Sequence, residues 1–151
     1  MNNNNKIQIN ILATLTALFC LLISGAGQAA ACLIYHPDLR DEDFSTGTLV
    51  RVFAMQKRVW SDGTPVRVYT LPKASATHRA FVTGYLRMQP YQLDRVWHRL
   101  VFSGTGAMPE EVSTVAEMLN VVASTPGAVG YINQDDTDQI PEGILRVVVN
   151  E

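Results

Sequence analysis

Lys73, Ser75, Thr77, His78 and Arg79 crowd into the stretch LPKASATHRAFVTGYL, Leu71 to Leu86. Two hydroxyls, two permanent cations and an imidazole suit one kind of chemistry, the holding of an anion. Pro72 ends whatever precedes it, and Ser75 is a favoured N-cap for a helix beginning at residue 76. The first-turn N–H groups of a helix have no partner inside it and lie at the positive end of its dipole. An oxyanion placed there accepts from those amides without further machinery. Ala76 contributes a backbone N–H, Ser75 and Thr77 add hydroxyl donors, and Lys73, His78 and Arg79 add charge. The candidate ligand-binding set is therefore Lys73, Ser75, Ala76, Thr77 and Arg79. The competing reading is an ordinary capped helix whose charges face water.

Other chemistry has weaker support. SGTG, Ser103 to Gly106, has the glycines of a backbone nest but not the lysine and spacing of a P-loop. His36, His78 and His98 are scattered, with neither H-x-x-x-H nor C-x-x-C, so no zinc site is expected. DDTD, Asp135 to Asp138, lacks the glycine and distal glutamate of an EF-hand loop and reads as a solvated loop. No G-x-S-x-G occurs and no catalytic constellation emerges. The expectation is a binding protein, not an enzyme, with no cofactor.

Net charge is −2 over the 151 residues, but it is unevenly spread. Residues 51–99 carry nine basic and two acidic side chains, while residues 100–151 carry one basic and eight acidic. A basic middle suits a local anionic partner, or else the fold interleaves both signs into solvated faces. Nucleic acid is not expected as a partner, because the chain is acidic overall and its basic block lacks an aromatic stacking pattern.

The chain opens MNNNNK, then runs without charge to Ala31 around an apolar core of 13 residues, Ile11 to Ile23. A short apolar centre followed by small residues is a signal-peptide pattern, and about 20 apolar residues would be wanted for a spanning helix. Residues 1–31 are thus expected to be a cleaved leader, with periplasmic export of one domain, residues 32–151. A retained anchor is the first alternative. A lipid on Cys32, after AAAC, is the second, although CLIY then runs directly into an apolar strand with no tether. Of the two cysteines, Cys20 falls in the leader, so the mature domain has one thiol and no internal disulfide.

The elements that must position the site follow from periodicity. CLIYHP and VRVYTL, Val66 to Leu71, read as strands, as do AVGYI and ILRVVV, Ile144 to Val149. A helix over TLVRVFAM takes Thr46 or Thr48 as its cap. A second helix runs from 76 to about 88, burying Phe81, Val82, Tyr85 and Leu86. YQLDRVWHRLVF places Leu93, Val96, Trp97, Leu100 and Val101 on one helical face, and STVAEMLNVVAS is a fourth helix capped by Thr114 and Glu117. WSDGTP is a turn built on Asp-Gly. Helices alternating with strands predict an α/β layered domain.

LVRVFAMQKRVWSDGTPV, SATHRAF, WHRLVFSGTGAMP and VASTPGAVGYI occur in that order. Together they resemble the phosphate-binding proteins of ABC uptake systems, in the type 2 periplasmic binding-protein superfamily, and most closely its short single-lobe members. The resemblance spans residues 33–150, and STPGAVGYI is its most specific piece. It implies one three-layer-like lobe, a mixed sheet with flanking helices. It also implies an oxyanion, phosphate first, at Ser75–Thr77. The sequence departs from the pattern at several places. Residues 54–57 read AMQK, without the glycine before lysine. Leu71 stands where the family has arginine, Lys73 where it has aspartate, and Ala76 where it has the central glycine of Ser-Gly-Thr. Aspartate accepts a hydrogen bond from a protonated phosphate, whereas lysine only donates. The second lobe that closes over phosphate has no counterpart in so short a chain.

The resemblance implies an exported module that binds a small oxyanion and presents it to a membrane transporter or sensor. The alternative is a ligand-free interaction or sensory-accessory module on the same scaffold. A homodimer, with two lobes rebuilding a two-sided cleft, is the third arrangement.

Overall fold

The computed structural model describes residues 30–147. Residues 1–29, most of the expected leader, therefore lie outside the described residues, as do residues 148–151. Five strands form one mixed sheet: β1 (Ala31–Tyr35), β2 (Arg67–Thr70), β3 (Glu110–Glu111), β4 (Ala128–Asn133) and β5 (Leu145–Val147). Their spatial order is β3-β2-β4-β1-β5. The strands β2, β3 and β4 run parallel, whereas β1 is antiparallel to both β4 and β5. Four helices cover the sheet: α1 (Thr46–Phe53), α2 (Ala76–Gly84), α3 (Pro90–Phe102) and α4 (Val115–Ser124).

Central β4 is buried along AVGYI, which explains why it reads as an unbroken apolar run and not as an alternation. Its pleat divides the core in two. Gly130 faces α4, and a Cβ there would run into Met118 Sδ, so the missing side chain lets that helix lie close. Tyr131 faces the other way. Its ring stacks on Phe81 of α2 at 4.1 Å between centroids and 6° between planes, and Phe81 packs on Phe53 of α1 at 4.5 Å. Two indoles tie elements together, one helix to helix and one loop to loop. Trp97 Nε1 donates to Phe53 O at 2.8 Å, and Trp60 Nε1 donates to Gly127 O at 2.9 Å.

The expected strands and helices form, with informative differences at their ends. Ser45, rather than Thr46 or Thr48, caps α1, because Asp43 accepts from both the Ser45 N–H (2.8 Å) and the Thr48 hydroxyl (2.7 Å). Helix α2 stops at Gly84 instead of residue 88, where glycine's backbone freedom weakens the last turn and Arg87 turns left-handed at φ 53°. Tyr85 and Leu86 are buried all the same. In α3 only Leu93 and Trp97 are fully buried, Val96 and Leu100 are half-buried, and Val101 is exposed. In α4 Met118 joins Leu119 and Val122 in the core, and Val115 is half-buried. Edge strand β3, two exposed glutamates, has no side-chain pattern and exists through its backbone pairing to β2.

Strand β1 already includes Ala31, paired with Asn133, one residue before the expected domain start. The Cys32 side chain is 2% exposed within that strand. A lipid on this sulfur would have to be drawn out of the core, which argues against lipidation at Cys32. Among the described residues no helix is long and apolar enough to cross a membrane.

The TPG turn supplies a test of the frame. Gly127 sits at φ 78°, and a Cβ there would collide with Pro65 O. Left-handed strain and overpacking together predict that Gly127→Ala costs about 3 kcal/mol, read as a fall in the urea midpoint at unchanged m-value.

Candidate functional site

The loop Leu71–Ser75 leaves the carboxyl end of β2 and delivers the start of α2. In open α/β sheets this edge, outside the carboxyl ends of parallel strands, is where ligands bind. Ser75 has extended backbone angles, and its Oγ accepts the His78 N–H at 3.0 Å. The cap therefore satisfies one orphan donor and leaves the Ser75 hydroxyl proton available. Among the described residues the amides of Ala76 and Thr77 have no hydrogen-bond partner. Ala76 is exposed, Thr77 half-buried, and Arg79 exposed with no ion pair among the described residues. Four of the five candidate residues thus share one exposed helix terminus.

Lys73 is placed differently. Its Nζ lies 2.9 Å from Asp94 Oδ1 on α3, and the ammonium sits 5.4 Å from the centroid of the Trp97 ring. Its charge is offset by a carboxylate and turned toward α3. Sequence reading missed Asp94. It stands inside a strongly amphipathic helix, where an acid reads as part of the solvated face, and only the packing of α3 beside the loop reveals it. Beside Lys73, which only donates, it puts an acceptor at the edge of this loop.

His78 does not contribute charge as expected. It is 1% exposed, and burial pushes its pKa below the ordinary 6.5, although Asp94 nearby works against that shift. The ring turns inward because the third helical residue faces β4, where Nδ1 meets Tyr131 Oη at 2.6 Å. The positive charge of this terminus is thus reduced to Arg79 and the helix dipole, with Lys73 already paired.

Lys57 and Arg58 of the middle segment are engaged elsewhere. Lys57 pairs with Glu42 at 3.0 Å, and Arg58 donates to Thr105 O at 2.5 Å. They line a separate hollow of about 180 Å³ with Met55, Val66, Gly106 and Ala107. Glu42 is held below the usual carboxylate range by its bonds to Ser61 and Lys57, which outweigh the opposing effect of desolvation. SGTG closes the end of α3. Ser103 Oγ returns to Arg99 O at 2.7 Å, and Gly104 takes φ 66°. Asp135, Asp136 and Asp138 sit in a 3-10 turn, Gln134–Gln139. Among the described residues no group of three or more His, Cys, Asp or Glu side chains is placed to hold a metal ion.

This architecture, a five-strand mixed sheet with flanking helices, matches the fold of a lobe of phosphate-binding proteins. Three solved structures are similar to it. They are PstS from Borrelia burgdorferi (13% identity, TM-score 0.59), an ABC-type phosphate transport receptor from Vibrio cholerae (12%, 0.57) and a possible phosphate binding protein from Planctomyces limnophilus (13%, 0.59). The matches cover 81%, 79% and 82% of this chain but 47%, 45% and 42% of those chains, so this chain spans less than half their length. At such identity the likeness shows the fold alone. No protein-family model matches the chain, and no curated protein matches it.

The cap is directly testable. Replacing Ser75 with alanine strands the His78 N–H and is expected to cost about 1 kcal/mol of unfolding free energy by chemical denaturation, independently of any ligand.

Proposed function

We propose that this protein is an exported oxyanion-binding module, with phosphate as its first ligand, that presents the anion to a membrane transporter or sensor. The observation that carries the reading is the Ser75 terminus. Two amides without a partner among the described residues, two hydroxyls and Arg79 lie in the cap and first turn of α2, beyond the carboxyl end of a parallel strand, on a scaffold whose structural neighbours include phosphate-transport proteins. Binding, not catalysis, suits a site that has donors and no nucleophile–base pair. The ligand set is Ser75, Ala76, Thr77 and Arg79, with Lys73 acting at the edge through its pair with Asp94.

On its own the described lobe covers one side of the anion, so its affinity alone should be modest. Titration calorimetry with phosphate, and with sulfate as the control, tests this. Saturable heat with phosphate is expected, weakened about tenfold by Thr77→Ala through loss of a charge-assisted hydrogen bond. Absence of heat from a folded sample at high concentration would overturn the reading. A ligand-free docking scaffold would then be the better account.

A further inference from the structure

We propose that His78 and Tyr131 form a buried, proton-sensitive strut that holds the Leu71–Ser75 loop in its anion-ready shape, so that protonation of one ring releases the loop. The proposal rests on the oxyanion reading of the Ser75 terminus, and adds its regulation. Neither side chain reaches the exposed face of the terminus, so both are positioning residues.

The geometry runs through three bonds. Leu71 N–H, at the start of the loop, donates to Tyr131 Oη at 3.1 Å. The same oxygen lies 2.6 Å from His78 Nδ1. His78 N–H in turn donates to Ser75 Oγ at 3.0 Å, at the loop's other end. Both ends of the loop are therefore tied to one histidine, one end through its backbone and the other through its ring and Tyr131. The tyrosine oxygen has no acceptor among the described residues other than Nδ1, so its proton goes to that nitrogen. Nδ1 must then be unprotonated, and the ring neutral with its proton on Nε2.

A second proton breaks this arrangement. It converts Nδ1 from acceptor to donor, leaving the Tyr131 oxygen facing two N–H groups and its own hydroxyl proton without a partner. A buried donor without a partner and a buried imidazolium are both costly. Four groups face the ring from the elements around it: Tyr131 from β4, Lys73 from the loop, Asp94 from α3 and Glu111 from β3. The two carboxylates favour the imidazolium and Lys73 opposes it, but desolvation outweighs them and the neutral ring is the resting state. The sign follows from linkage. The unfolded histidine takes up a proton first as pH falls, so the stability contributed by the neutral ring is complete above about pH 6.5 and declines as pH falls below it.

The test uses two variants that spare the core. Tyr131→Phe keeps the stacked ring on Phe81 and removes only the hydroxyl. His78→Asn keeps an acceptor near the Nδ1 position and cannot titrate. Hydrogen exchange at the Leu71 amide would be followed between about pH 7.5 and pH 5, corrected for intrinsic rates, with inorganic phosphate and sulfate titrated into the same samples. Protection should fall with pH in the parent, be low throughout in Tyr131→Phe, and stay pH-independent in His78→Asn. Anion affinity should weaken about tenfold more across this range in the parent than in His78→Asn. Equal pH dependence of protection in the parent and His78→Asn, or full protection in Tyr131→Phe, would overturn the strut. No anion binding by the parent at any pH would overturn the oxyanion reading instead, and the exchange data would still decide the strut.

Discussion

Tyr131 is the point on which both the core and the candidate site depend. Its ring occupies the middle of the most buried strand and stacks on α2, while its hydroxyl reaches past that stack to the loop that starts the site. A buried tyrosine must satisfy its hydroxyl, and here the partners are a loop amide and a histidine ring. One side chain therefore joins burial, which stabilises the lobe, to loop geometry, which determines where the amides of Ala76 and Thr77 point. On the exposed side of the loop the tie is the partly exposed pair of Lys73 with Asp94. There the side chains compete with water, and an exposed pair contributes little.

Electrostatics at the terminus are correspondingly restrained. The concentration of basic residues in the middle of the chain suggests a strongly positive site, but the fold disperses them. Lys57 is taken by Glu42, Arg58 by a loop carbonyl and Lys73 by Asp94. What remains at α2 is a helix dipole, free amides, hydroxyls and one unpaired arginine. An anion at such a terminus would be held by directed hydrogen bonds more than by bulk charge.

Much of the frame was legible in the sequence because its signals are local. Ser75 before an amphipathic run, the apolar AVGYI and the Asp-Gly turn each carry their own physics. The helix ends were harder to read. Asp43 moves the α1 cap to Ser45 through bonds that no periodicity reports, and Gly84 shortens α2 although apolar residues continue beyond it. Edge strand β3 was invisible because two glutamates have no strand pattern and pair only through the backbone. At the site, Ser75, Ala76, Thr77 and Arg79 were readable from type and spacing. The inward turn of His78 and the approach of Asp94 were not, since both depend on which neighbours α2 and α3 meet in space.

The central claim is that an oxyanion is held by the first turn of α2. The most direct measurement is the backbone amide spectrum of the domain during titration with inorganic phosphate. The account predicts saturable downfield shifts largest at Ala76 and Thr77, the amides left open by the Ser75 cap. Shifts scattered over the basic surface in proportion to ionic strength, or centred on the hollow beside Lys57 and Arg58, would contradict it.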